Sequence, residues 1–221
     1  MQIEAESVLA GGENPILANC PDETRDALLK MGSLRAFGHD ELLFQEHGPA
    51  GVVLLLLDGS LQMSKTATRG RRQVICSFAP SACGGVCMLA IGDHSLADIK
   101  GLEAGHVLVL DRESFQAVTK TDAVLCQEGW DSVAHCMGHL STLVEHLSFN
   151  KVAERVVMTL LDSTEKDGDL VRWTQAELAA EVGTTREVVA RCLAGLQMAG
   201  AVRLGRARIT VMSREKLQRQ I

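Results

Sequence analysis

No stretch of this 221-residue sequence is apolar for long enough to cross a membrane. The longest uninterrupted run, Val52–Leu57, is far below the ~20 residues that a bilayer requires. No signal-peptide pattern is legible either, and a cytoplasmic location is the expectation. Cysteine is present but unorganised: seven residues, an odd number at scattered spacings, so a disulfide framework is not expected and the thiols are read as reduced. The sequence has no G-x-S-x-G elbow and no Walker P-loop. Cys87, Asp93 and His94 are the nearest approach to a nucleophilic set, and no motif organises them, so catalysis is not expected. Positive charge is also in short supply: 22 Lys and Arg stand against 28 Asp and Glu, a net charge of −6, which by itself argues against a nucleic-acid partner.

The charge is unevenly divided, however. Residues 151–221 carry 12 Lys and Arg against 9 Asp and Glu, and residues 1–150 carry 10 against 19. Within the basic part lies the stretch that organises the chain, TQAELAAEVGTTREVVARCLAGL from Thr174 to Leu196, which reads as two short helices broken at Gly183. At about 100° per residue, Arg186, Glu187, Ala190, Arg191 and Ala194 share one sector of the second helix, with Val189, Cys192, Leu193 and Leu196 opposite. Such a helix docks on its own domain by one face and offers the other to a groove; the same pattern also suits a merely solvated face. Thr174 with Glu177 and Thr184 with Glu187 both match the S/T-x-x-E capping box, so each helix has a start signal. After Gly200, AVRLGRARITV reads as a hairpin turning at Leu204-Gly205-Arg206-Ala207, and Arg203, Arg206 and Arg208 would place cations near phosphates. Helix pair followed by hairpin is the order of a winged helix-turn-helix.

Upstream, residues 1–20 carry weak signals, an arm or a short helix. Pro21–Leu34 reads as a helix with an acidic first turn. From Ala36 to about Val118, short apolar runs alternate with Gly and Asp breaks, which suggests an antiparallel barrel or sandwich. One long helix follows, about Ala123 to Phe149. Cys126, Trp130, Val133, Met137, Leu140, Val144 and Leu147 recur along it at spacings of 4, 3, 4, 3, 4 and 3, a heptad seam. A parallel homodimer through this seam is the simplest reading, with packing on its own barrel as the alternative; Leu143 and Cys136, at flanking positions, are expected to pack there. KVAERVVMTLLD, at residues 151–162, continues as another helix, and STEKDGD is a loop.

Taken together, the expected fold is α+β: an N-terminal β-roll over residues 1–122, a dimerisation helix over 123–150 and a DNA-binding domain over 151–221. This resembles the CRP/FNR family of bacterial transcription regulators from about Pro21 to Val211. The resemblance is carried by Phe44-Gln45-Glu46-His47-Gly48-Pro49-Ala50, by Asp58-Gly59-Ser60, by the heptad helix and above all by VGTTREVVAR at residues 182–191, which is similar to the family's recognition helix. It implies a homodimer with double-stranded DNA and RNA polymerase as partners. Arg186, Glu187 and Arg191 would read bases in a TGTGA-like inverted repeat, with Thr184, Thr185 and Arg206 beside them. Half-site centres would lie about one turn, ~34 Å, apart.

The sensor segment departs from the family's cyclic-nucleotide cassette. Val86 stands where the resemblance calls for a ribose-binding Glu, and His94 where it calls for the Arg of an Arg-Ser pair with Ser95. Val86 cannot accept a hydroxyl hydrogen bond, and a neutral imidazole is a poor substitute for a bidentate guanidinium, so an effector other than cyclic AMP is expected. Three alternatives stay open. Heme is one: Cys87-Met88 is similar to the segment of the family's carbon monoxide sensor, although Leu89 replaces the His that follows there, with His94 or a helix His as further ligand. Thiol redox is another, since Cys83 and Cys87 bracket two glycines and Cys76 lies nearby. A metal at His135 and His139, spaced i, i+4 on the long helix, is the third. The oxygen-sensing branch's N-terminal cysteine cluster is absent, with only Cys20 before residue 70. A regulator with no ligand, or a module that binds protein rather than DNA, are the remaining readings.

Overall fold

A computed structural model of the chain describes residues 14–80, 86–87, 90–91 and 94–221. The packing falls into two compact units, Met1–Ser64 with Cys76–Leu140 and Lys65–Ile75 with Ser141–Ile221. Among the described residues no helix is long and apolar enough to cross a membrane.

The first unit opens on α1 (Pro15–Asn19). Buried Asn14 caps it, its side-chain oxygen accepting from the Ile16 N–H at 3.0 Å while its Nδ2 donates to the Leu56 carbonyl at 2.7 Å. Helix α2 (Asp22–Met31) follows, with Asp22 and Glu23 in its first turn, where carboxylates complement the helix dipole. It stops at Gly32, where a Cβ would fall 2.6 Å from Leu108 Cδ1. The expected helix to Leu34 is therefore three residues too long, and the chain turns at once into β1.

Strands β1 (Ser33–Phe37), β2 (Leu42–Phe44), β3 (Val52–Thr66), β4 (Arg72–Phe78), β5 (Val86–Cys87) and β8 (Asp98–Asp111) make one sheet, ordered β1-β8-β3-β4 with β2 on β8 and β5 on β3; β6 (Ala90–Ile91) and β7 (His94–Ser95) pair separately. The apolar run in β3 is buried on both faces: Val53, Leu55 and Leu57 join a core with Ile16, Leu28 and Phe115, and Leu54 and Leu56 are equally covered. That two-sided burial explains why the run is continuous rather than alternating.

Two glycine breaks read from the sequence turn out to lie inside strands. Asp58-Gly59 sits within β3, where Gly59 at φ 75° makes an irregular step in the pairing with β8. Gly101 and Gly105 lie within β8, which runs on as a single 14-residue strand. A Cβ on Gly101 would fall 2.2 Å from the Gly38 carbonyl oxygen, and one on Gly105 the same distance from that of Asp58. These glycines serve close backbone approach rather than chain reversal.

Helix α3 (Arg112–Thr119) is capped by Asp111, and helix α4 (Ala123–Phe149) starts at Asp122, whose carboxylate accepts from the Val124 and Leu125 N–H groups at 2.9 Å each. Along α4, Leu125 and Ser132 are buried, and Cys136 and Leu143 are half-buried. Most heptad positions face out: Trp130, Met137 and Val144 are 66%, 60% and 61% exposed, while Cys126 and Leu140 are half-buried.

In the second unit α5 (Val152–Asp162), α6 (Gln175–Val182), α7 (Arg186–Met198) and α8 (Arg214–Gln218) surround one core with a three-stranded sheet, ordered β10 (Val202–Gly205), β11 (Arg208–Val211), β9 (Leu170–Val171). The 202–211 hairpin forms as expected. The third strand, β9, lies just after the expected STEKDGD loop; its two residues pair with Ile209 and Thr210 and give little sequence signal of their own.

Gly101→Ala is expected to lower the stability of the first unit by about 1–3 kcal/mol, because the added methyl meets both the Gly38 backbone and the Phe37 ring. Chemical denaturation monitored by circular dichroism measures it.

Candidate nucleic-acid interface

Helix α6 begins with a complete capping box. The Thr174 hydroxyl accepts from the Glu177 N–H at 3.1 Å, and the Thr174 N–H donates to Glu177 Oε2 at 2.6 Å. It ends at Gly183, left-handed at φ 69°, ψ 46°, the conformation that glycine enters without steric cost. The second expected capping box does not form. Thr185, extended at φ −102°, is the N-cap of α7, which shifts the start by one residue and removes Glu187 from the partner position of Thr184. The Glu187 carboxylate accepts instead from its own backbone N–H and from the Thr185 hydroxyl, which hold its pKa below the usual range and keep it anionic.

Val189, Leu193 and Leu196 are buried against Val156, Leu160, Leu178 and Ile209, with Cys192 packed at the edge. The opposite face carries Arg186, Glu187, Arg191 and Ala194, all exposed; Thr185 is exposed beside them, while Thr184 and Ala190 are half-buried. The wing brings Arg203, Arg206 and Arg208, also exposed, and turns through Ala207 at φ 50°. Between the N-terminus of α6, Arg186 and the wing residues Arg206 and Arg208 lies a cleft of about 500 Å³. Guanidinium groups on both sides and helix N–H groups at one end make this concavity suited to a phosphate-bearing strand.

In the first unit, the segment that departs from the cyclic-nucleotide cassette contributes β5, β6 and β7. His94 is exposed. Ser95 is buried, its hydroxyl donating to the Ala97 carbonyl at 2.7 Å and its N–H to the Gly48 carbonyl at 2.9 Å, so the motif turn at Phe44–Ala50 is tied to this strand. Cys83 lies outside the described residues. Val86 and Cys87 form β5, paired with Leu55 and Leu54. One contact had no clear sequence signal: His106 Nδ1 lies 3.0 Å and 3.1 Å from the two Asp58 carboxylate oxygens, brought together by the irregular β3–β8 pairing. On α4, His135 and His139 are exposed with ring centroids 4.8 Å apart, on the side away from the heptad positions. Among the described residues no three or more His, Cys, Asp or Glu side chains cluster as a metal would need.

Residues 34–122 match the cyclic nucleotide-binding domain family, and residues 154–220 match the Crp-like helix-turn-helix domain family. The cyclic AMP receptor protein of Thermus thermophilus is 24% identical over 200 residues, covering 90% of this chain and 92% of that protein. The CRP-like cAMP-activated global transcriptional regulator of Mycobacterium tuberculosis is 21% identical over 202 residues, covering 88% and 90%. Among solved structures, the c-di-GMP-responsive global regulator CLP of Xanthomonas campestris superposes with a TM-score of 0.77 at 20% identity, covering 87% of this chain and all of that one.

At the end of α6, burial pushes the Glu181 carboxyl above its usual pKa, and the Arg72 guanidinium offsets part of that rise. A raised native pKa means that ionisation disfavours the fold, so stability falls as pH rises past about 4.5 towards the native value. Glu181→Gln is therefore expected to be more stable than the parent at neutral pH, with the difference vanishing below pH 4.5. Urea unfolding at a series of pH values checks the sign.

Proposed function

The chain belongs to the CRP/FNR family of transcription regulators, and from that premise we propose a cytoplasmic homodimer that reads a TGTGA-like inverted repeat under the control of an effector other than cyclic AMP. DNA binding through a helix-turn-helix, and regulation rather than catalysis, are what the family does. The observation that carries the finer reading is the outward face of α7, with Arg186, Glu187 and Arg191 exposed together above a fully buried stripe. A guanidinium is bidentate to guanine O6 and N7, and a carboxylate accepts from cytosine N4. Thr184, Thr185 and Arg206 are assigned to the flanking backbone.

Dimerisation rests on α4. Trp130, Val133, Met137, Val144 and Leu147 are each more than 40% exposed on one heptad stripe, a run of large side chains that an isolated helix has no means to cover. Residues 123–150 are thus assigned to the dimer helix, 1–122 to the sensor and 151–221 to DNA binding, with RNA polymerase as the downstream partner.

Arg186→Ala is expected to abolish the preference for the palindrome while leaving the dimer intact. Each bidentate contact is worth about 1–3 kcal/mol of discrimination, so two copies lost across a dimer remove it. Fluorescence anisotropy on palindromic and scrambled duplexes, with sedimentation in parallel, tests this. Unchanged selectivity would take Arg186 out of the reading set.

For the effector, Val86 and His94 occupy the positions where the family resemblance calls for a carboxylate and a guanidinium, which removes the hydrogen bonds that hold ribose and cyclic phosphate. Calorimetric titration with cyclic AMP is expected to be silent, and micromolar binding would overturn the assignment. An absorbance spectrum with and without dithionite and carbon monoxide then selects among replacements. A gas-shifted Soret band assigns heme, with Cys87 or His94 as ligand. A featureless spectrum together with oxidant-dependent loss of two thiols assigns a Cys83–Cys87 switch.

A further inference from the structure

The end of β3, the turn after it and the start of β4 differ from the rest of the sheet. This stretch, Lys65–Ile75, contains Lys65, Arg69, Arg71 and Arg72 and no acidic residue, and it packs with the unit that holds the helix pair. With it, that unit carries 16 Lys and Arg against 10 Asp and Glu. The attachment is specific. Gln73 Nε2 donates to the Glu181 carbonyl at 3.1 Å and to that of Val74 at 2.7 Å. Gly183 approaches so closely that a Cβ there would fall 1.9 Å from Gln73 Oε1. The hairpin is thus held against the turn that joins α6 to α7.

The cations at its tip are left uncompensated. Arg69 and Arg71 are exposed, and among the described residues neither makes an ion pair. On the first turn of α5, half-buried Arg155 donates from Nε to the Val182 carbonyl at 2.9 Å and from Nη1 to that of Asn150 at 2.8 Å, again with no carboxylate. Burial, and secondarily the nearby Arg71 charge, lower its pKa. Two guanidinium groups close enough to repel, beside a helix-turn-helix turn, are an arrangement that an anion relieves.

We propose that the tip of the β3–β4 hairpin is a second phosphate-binding element, in which Arg69 and Arg71 engage the DNA backbone while α7 reads bases. This rests on the assignment of α7 to DNA. A nucleic-acid backbone is favoured over an acidic protein surface because the hairpin is anchored at the turn leading straight into Thr184, Thr185 and Arg186. Its contacts carry no base information, so they add affinity uniformly across sequences and make binding more salt-dependent.

The test compares full-length parent, Arg69→Ala/Arg71→Ala and Arg69→Lys/Arg71→Lys proteins by anisotropy on palindromic and scrambled duplexes over a range of sodium chloride, with thermal unfolding as the control for folding. Loss of two phosphate contacts per protomer is expected to flatten the slope of log K against log salt by about 1.8, or about 3.6 for a dimer. The preference for palindrome over scramble is expected to stay unchanged, and the lysine pair to retain the parent slope. An unchanged slope in the alanine pair overturns the proposal, and it does so equally if transcription with purified polymerase falls, since the tip then serves a protein. Should the parent show no palindrome preference at all, it is base reading by α7 that fails, and the slope difference still reports on the hairpin.

Discussion

The orientation of α7 is fixed by what it must bury, and the chemistry it offers follows from that. Covering Val189, Leu193 and Leu196 is worth about 1.5–3 kcal/mol apiece, whereas an exposed arginine contributes little wherever it points. The apolar stripe therefore decides the rotation of the helix about its axis, and Arg186, Glu187 and Arg191 are carried outward as a consequence. Gly183 sets the remaining degree of freedom. Its left-handed backbone sends the chain from α6 into α7 through three residues, Gly183 to Thr185, and the extended Thr185 starts the second helix. A carboxylate that accepts from its own N–H and a neighbouring hydroxyl, beside the Arg186 charge, remains charged and at the surface. Glu187 stands in the same frame as the two arginines rather than being used up as a cap for Thr184.

The same subordination of polar groups to packing shapes the sheet of the first unit. Strand β8 pairs with β1, β2 and β3, and it keeps all three because Gly101 and Gly105 let the Gly38 and Asp58 backbones come within van der Waals reach. The resulting irregularity places His106 against Asp58, an ion-pairing geometry produced by backbone crowding. Ser95 shows the opposite use of a polar side chain. Its hydroxyl is spent on Ala97, so this serine braces a turn and has no donor to spare for a ligand in this conformation.

What the sequence revealed and what it hid divide along the range of the interactions. Helix α4 was legible at both ends, since its heptad spacing is a local signal. So was the two-faced α7, whose pattern is a matter of rotation along one helix. Long-range backbone proximity was not legible. Gly101 and Gly105 look like turn glycines until the strand opposite is known, and His106 has no marked sequence relation to Asp58, 48 residues away. Two adjacent threonines give no local means of deciding which one caps the helix. The cationic hairpin was visible only as the run TRGRRQ. Its association with the helix pair depends on Gln73 meeting Glu181, a separation of 108 residues.

Segregation of charge resolves the apparent conflict between an acidic chain and a polyanionic partner. The unit with the helix pair holds 16 cations against 10 anions, which leaves 6 against 18 in the other. The acidic first unit repels DNA at any range shorter than about 8–10 Å of ionic screening, so a basic face must meet the duplex in a limited set of orientations to be attracted at all. Weak overall attraction lowers the affinity for arbitrary sequence, and base contacts then make up a larger share of the binding free energy than in a uniformly basic protein. A regulator with few cations placed close to α7 is for that reason more dependent on where each arginine sits than on how many it has.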